Sequence, residues 1–117
     1  MHEMSLVSSL LDQVEQLMTQ HEARHVASIR VSIGEFAGVE HELFQSAYEL
    51  LIDGSRARGA RLELVRVPLE ACCRRCGGRF AVNRYRFQCP TCDSGDVRVQ
   101  CGEELVLEQV TFDADGE

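Results

Sequence analysis

No stretch of the 117-residue chain approaches the ~18 consecutive apolar residues that a bilayer-spanning helix requires, so a membrane role is not expected. The amino terminus lacks both a basic start and a continuous apolar segment. It therefore does not read as a secretory signal, and the expected address is the cytoplasm, where cysteines stay reduced. Residues 102–117 contain no base at all and carry −6. The chain also lacks a nucleophile placed beside a base, an open metal position and a labile thiol pair, which argues against an enzyme. With a net charge of −7, it lacks the basic excess from which phosphate-binding proteins draw affinity, so nucleic acid is disfavoured as the main partner.

The composition that is present is globular: 44% of residues are hydrophobic and charge is moderate. Charge is unevenly spread. Residues 1–69 hold six Arg against ten acids, whereas residues 70–101 hold six Arg against three acids and so carry +3.

From Met4, the apolar residues Val7, Leu10, Leu11, Val14, Leu17 and Met18 recur at three- and four-residue steps, predicting an amphipathic helix that ends near His21. Between Val26 and Gly34 the order becomes alternating, with Ile29, Val31 and Ile33 on one face, as in a strand. Leu43, Phe44, Ala47, Tyr48 and Leu51 restore helical spacing as far as Gly54. Arg61 to Val67 alternates again until Pro68 ends the pairing. Cys72 to Gly95 follows neither period, which suits a lobe organised around a ligand. Val97–Cys101 and Leu105–Phe112 then alternate as strands around a Gly102-Glu103 turn.

The expected fold class is α+β: two helices packed on a small mixed sheet, with an inserted four-cysteine, zinc-ribbon-like lobe. Residues 1–70 form an α/β domain completed by a returning strand at 103–112, residues 71–101 the lobe, and residues 113–117 an acidic tail.

Cys73 and Cys76, then Cys89 and Cys92, give the spacing C-x2-C-x12-C-x2-C. Two residues between cysteines let a tight turn point both sulfurs at one ion, and two such turns supply the tetrahedral thiolate set that zinc prefers. Gly77 after the first pair and Pro90 inside the second suit these bends. Four thiolates leave no position for water or substrate, so the zinc is expected to be structural. Iron is the competing occupant, since C-P-x-C also suits a rubredoxin-like knuckle. Cys72 could replace Cys73 only by adopting a C-x3-C spacing, and Cys101 reads as a small strand hydrophobe. Arg74, Arg75, Arg79, Arg84 and Arg86 balance the charge of a zinc tetrathiolate or, in a second reading, make the lobe an adaptor for nucleic acid or protein, with Phe80, Tyr85 and Phe87 as aromatics.

Met1-His2-Glu3 contains a chelate: the α-amine, the His2 backbone nitrogen and the His2 imidazole can close five- and six-membered rings around one ion. Nitrogen donors in a plane suit Ni(II) or Cu(II), and a bulky second residue is expected to keep Met1 in place. The Glu3 backbone nitrogen or a carboxylate would be the fourth donor. His21, His25 and His41 read as surface residues.

The sequence resembles the hydrogenase nickel-incorporation family HypA/HybF along nearly its whole length. The likeness lies in Met-His-Glu-Met-Ser-Leu at the start, Ile33-Gly34-Glu35, Leu43-Phe44, the paired CxxC lobe and Gly102-x-Glu104-Leu105. The resemblance implies a nickel metallochaperone with Ni2+ as transported cargo at Met1, His2 and Glu3, with Glu40 at the position of a further acidic side chain. It implies Zn2+ as a structural ion on Cys73, Cys76, Cys89 and Cys92. It also implies the accessory GTPase HypB as partner and the large subunit of a [NiFe]-hydrogenase as client, with urease supply in some members. A monomer and a homodimer both remain open.

Overall fold

A computed structural model describes residues 2–84 and 86–113. The chain divides into two compact units: residues 1–32, 39–65 and 106–117 make up the first, and residues 33–38 and 66–105 the second. Met1 and residues 114–117 of the expected acidic tail lie outside the described residues, as does Tyr85.

The first helix, α1, spans His2–Gln20 and buries Val7, Leu10, Leu11, Val14 and Met18, the stripe read from the sequence. It begins two residues earlier than its apolar periodicity, because Glu3 is anchored by a polar contact that carries no hydrophobic signal. Strand β1 (Val26–Gly34) follows, then α2 (His41–Leu51), which runs into a 3-10 turn at Ile52–Gly54, and then β2 (Arg61–Val67). Helix α2 packs against α1 and buries Phe44, Ala47 and Tyr48. The Tyr48 hydroxyl donates to the Ala60 carbonyl at 2.7 Å, tying the helix to the segment that leads into β2. Arg56 fastens that same segment to the end of α1, its amide reaching Glu15 Oε2 at 2.8 Å and its guanidinium reaching Thr19 Oγ1 at 2.7 Å.

Strands β3 (Glu70–Cys73), β4 (Arg79–Ala81), β5 (Val97–Cys101) and β6 (Leu105–Phe112) complete the chain. One sheet has the order β2-β1-β6 and the other β4-β3-β5. The first is mixed. Glu35, just past the end of β1, donates its amide to Val67 at the end of β2, so those strands run parallel. Gly34 bonds Glu104 and Asp113 bonds His25, which makes β6 antiparallel to β1. The closing strand thus returns to the first sheet.

The sequence between Pro68 and Gly95 shows no strand period, yet β3 and β4 lie there. At four and three residues they are too short to display a period, and their pairing is imposed by neighbours: β3 bonds antiparallel to both β4 and β5. This lobe has a small core of Leu69, Ala71 and Val82, packed by Phe80, Phe87, Val97 and Val99.

Two motifs of the resemblance meet in the second unit. Gly34 donates its amide to the Glu104 carbonyl at 2.8 Å, Phe36 donates to Gly102 at 2.7 Å, and the Glu35 carboxylate accepts the Leu69 amide at 2.9 Å. A Cβ on Gly34 would collide with the Gly102 backbone. Gly102 itself sits at φ +102°, where a Cβ would lie 2.6 Å from Leu69 Cα. Backbone has to approach backbone here, and only glycine permits it.

Candidate metal centre

Each cysteine pair sits on a tight turn built by the same contacts. In the first, Cys73 at the end of β3 accepts the Gly77 amide on its carbonyl at 2.9 Å, and the Cys76 amide points at Cys73 Sγ at 3.5 Å. In the second, the Cys89 carbonyl accepts the Asp93 amide at 2.8 Å, and the Thr91 amide points at Cys89 Sγ at 3.4 Å. The residue closing each turn takes a left-handed backbone, Gly77 at φ +79° and Asp93 at φ +65°. Glycine supplies this freely, and Asp is among the few other residues that tolerate it. Gly77 was legible as a bend, whereas Asp93 was not singled out.

The two turns bring the four sulfurs within 4.8 Å of one another, with Cys73 and Cys92 at 3.6 Å and Cys76 and Cys89 at 3.6 Å. Arms of ~2.3 Å around a tetrahedral ion give sulfur–sulfur edges of ~3.8 Å, so the donor set fits zinc in both chemistry and size. Cys73 and Cys89 are buried, while Cys76 and Cys92 face solvent.

Electrostatics divide the quartet. The Cys76 amide holds the Cys73 thiol down to about 6, and the Cys92 amide lowers Cys89 as well. At Cys92 the Ser94 amide favours the thiolate. The opposing Cys73 sulfur, burial and the two remaining sulfurs outweigh it and push the thiol up to about 11. Cys76 is raised too: the Gly78 amide lowers it, but the Cys89 and Cys73 sulfurs and burial outweigh that. Four thiolates this close repel one another, and a divalent cation removes that repulsion. The four-cysteine cluster supports a structural zinc site.

Cys72 and Cys101 stand apart from the quartet. The Cys72 thiol contacts the Gly77 carbonyl at 3.8 Å, and that of Cys101 contacts the Pro68 carbonyl at 3.7 Å.

At the other candidate site, His2 is exposed on the first turn of α1, and Glu3 is buried. Glu3 Oε2 accepts the Glu40 amide at 3.2 Å. Glu40 is the N-cap residue of α2 and makes no side-chain capping bond of its own, while the carboxylate of Glu3, from the other helix, satisfies the N-cap amide itself. The Glu40 amide is the leading cause that holds the Glu3 carboxyl below its ordinary value. The structure thus brings the backbone of Glu40 to Glu3, while the Glu40 carboxylate is exposed. Sequence reasoning missed this capping role, although the absence of Ser, Thr, Asp or Asn ahead of α2 was a signal that a cap must come from elsewhere. His21 and His25 are exposed as expected, but His41 is half-buried at the start of α2.

Among the described residues, no helix is long and apolar enough to cross a membrane. A family model described as hydrogenase/urease nickel incorporation, metallochaperone, HypA matches residues 1–112. A hydrogenase maturation factor HypA from Nitrosospira multiformis is 39% identical over 110 residues, spanning 94% of this chain and 96% of that protein. Two solution structures are similar in fold. That of a HypA protein matches with a TM-score of 0.76 at 31% identity, covering 97% of this chain and 98% of the other. That of the Ni metallochaperone HypA from Helicobacter pylori matches with a TM-score of 0.67 at 28% identity, covering 94% and 96%.

Proposed function

The chain belongs to the HypA family of hydrogenase and urease nickel-incorporation metallochaperones, and from that premise we propose that it carries Ni(II) on the nitrogens of Met1, His2 and Glu3 while a zinc tetrathiolate stabilises its second unit. It is a nickel metallochaperone of [NiFe]-hydrogenase maturation with a structural zinc site, not an enzyme.

The observation that carries the nickel reading is the start of α1 at His2. The first four amides of a helix have no partner within it, so the amide nitrogens of His2 and Glu3 are not committed to the helical ladder. The Glu3 carboxylate, by contrast, is occupied by the Glu40 amide. In this reading Glu3 therefore offers its backbone nitrogen and uses its side chain to hold α2, and the exposed Glu40 carboxylate is the further acidic donor. The reading needs a free α-amine at Met1.

Planar nitrogen donors select Ni(II) or Cu(II) over zinc, while thiolates in a tetrahedron select zinc, so one chain sorts two ions by geometry. The amine and amides must lose protons to bind, so nickel loading strengthens as pH rises and weakens with mild acid, which provides a route to release. The zinc ligands are Cys73, Cys76, Cys89 and Cys92, with zinc rather than iron as occupant. The partners in this reading are the GTPase HypB and the large subunit of a [NiFe]-hydrogenase, and the setting is the cytoplasm. Calorimetric titration of zinc-loaded protein with Ni(II) tests it: His2→Ala and a variant extended ahead of Met1 should each lose at least tenfold in affinity. Equal affinity in all three proteins would end the assignment.

A further inference from the structure

Strand β4 is an edge of its sheet, bonded to β3 alone. Val82 donates to the Leu69 carbonyl and Cys73 to that of Gly78, and the register pairs Phe80 with Ala71 between them. Bonding pairs alternate along an antiparallel ladder, so Phe80 turns its amide and carbonyl toward β3 while Arg79 and Ala81 turn theirs outward. Two amides and two carbonyls thus stand ready for one more short strand.

Beside this edge lies a groove of about 380 Å³. Phe80 and Ala81 form one side. Pro90 of the second cysteine turn contributes apolar surface, and Asn83, Gln88 and Arg86 supply polar groups. The volume falls within the range of ligand-sized cavities, and the three residues of β4 span ~10 Å at ~3.3 Å each.

Charge selects the occupant. Of the three acids in residues 70–101, Glu70 pairs with Arg79 and Asp96 with Arg74, and Asp93 lines the groove. Among the described residues, no carboxylate lies within ion-pair distance of Arg86. We propose that the β4 edge and its groove bind an extended acidic peptide segment of a partner protein, which adds as a strand to Arg79 and Ala81 and places a carboxylate on Arg86. Main-chain bonds supply the affinity in this mode, and the guanidinium fork supplies the preference for carboxylates. The site holds no nickel donor, so it stands or falls separately from the nickel reading.

The test uses full-length, zinc-loaded, nickel-free protein labelled with 15N, titrated with three probes: acetyl-Thr-Glu-Val-Glu-Thr-amide, the same peptide with Lys for Glu, and an eight-nucleotide deoxythymidine strand. The acidic peptide should shift the amides of Arg79, Ala81 and Gln88 and outcompete the Lys peptide. Arg86→Glu should weaken it at least tenfold. Ala81→Pro deletes an outward amide without removing a bond to β3, and it should weaken all peptide binding while zinc content stays unchanged. Arg86→Glu, on the exposed surface, remains decisive where Ala81→Pro lowers zinc content. Shifts confined to residues away from β4, affinity unaffected by Arg86→Glu, or a preference for the oligonucleotide would each overturn the proposal.

Discussion

Cys73 and Cys89 are each 1% exposed, whereas their partners Cys76 and Cys92 reach solvent, so each turn contributes one sulfur from the interior and one from the surface. Loss of the buried member should remove both the metal and the local packing. Cys73→Ala is expected to abolish zinc binding and unfold the lobe while α1 and α2 keep their helical circular dichroism. Cys72→Ser and Cys101→Ser should retain one zinc per chain. Metal analysis of the three variants decides this, and zinc retained in Cys73→Ala would show that the ligand set is wrong. Glu3 supplies a second prediction. Its folded-state value lies below the ordinary 4.5 because the Glu40 amide favours the carboxylate. Its contribution is therefore complete above that value and is lost as pH falls through the depressed one. Carboxyl NMR should give Glu3 a midpoint below 4.5, and Glu3→Gln should speed hydrogen exchange of the Glu40 amide. The clustering of Cys73, Cys76, Cys89 and Cys92 was legible because spacing alone encodes a turn that aims two sulfurs together. The capping role of Glu3 was not, since the amide it accepts lies 37 positions away in sequence.

Among the elements, α2 depends on contacts at both ends: Glu3 at its start and Tyr48 toward its finish. Burial pushes the Tyr48 phenol up to about 12. A raised value means the neutral form is favoured, so this stabilisation is present below pH 10 and disappears as pH climbs through 12. The chain has two tyrosines, so in Tyr85→Phe the absorbance titration reports Tyr48 alone and should show a midpoint near 12. A midpoint near 10 would mean that the phenol is not buried as the packing of α2 requires. Tyr48→Phe should cost about 1 kcal/mol, the usual net worth of one hydrogen bond. Both helices and the strands β1, β2, β5 and β6 were legible from apolar period. Strands β3 and β4 were not, because three or four residues cannot establish a period and their partners, not their own composition, fix them.

For the whole molecule, the two units differ in what holds them. The first buries long apolar side chains such as Phe44, Met18 and Ile29, whereas the hydrophobic cluster of the lobe has only the small buried set Leu69, Ala71 and Val82, beside the buried sulfurs of Cys73 and Cys89. Metal should therefore supply much of the folding free energy of the second unit alone. Removing zinc with a strong chelator, or protonating the thiolates with acid, should collapse the NMR dispersion of residues 66–105 while signals of α1 and α2 persist. Loss of both sets together would show that zinc supports the first unit as well. On the proposed function, two ions occupy two chemically different donor sets within one chain. X-ray absorption on protein loaded with both metals tests it most directly. At the zinc edge four sulfurs are expected at about 2.3 Å, and at the nickel edge only nitrogen and oxygen neighbours, lost in His2→Ala. Sulfur scattering at the nickel edge, or an unchanged nickel spectrum in His2→Ala, would contradict it.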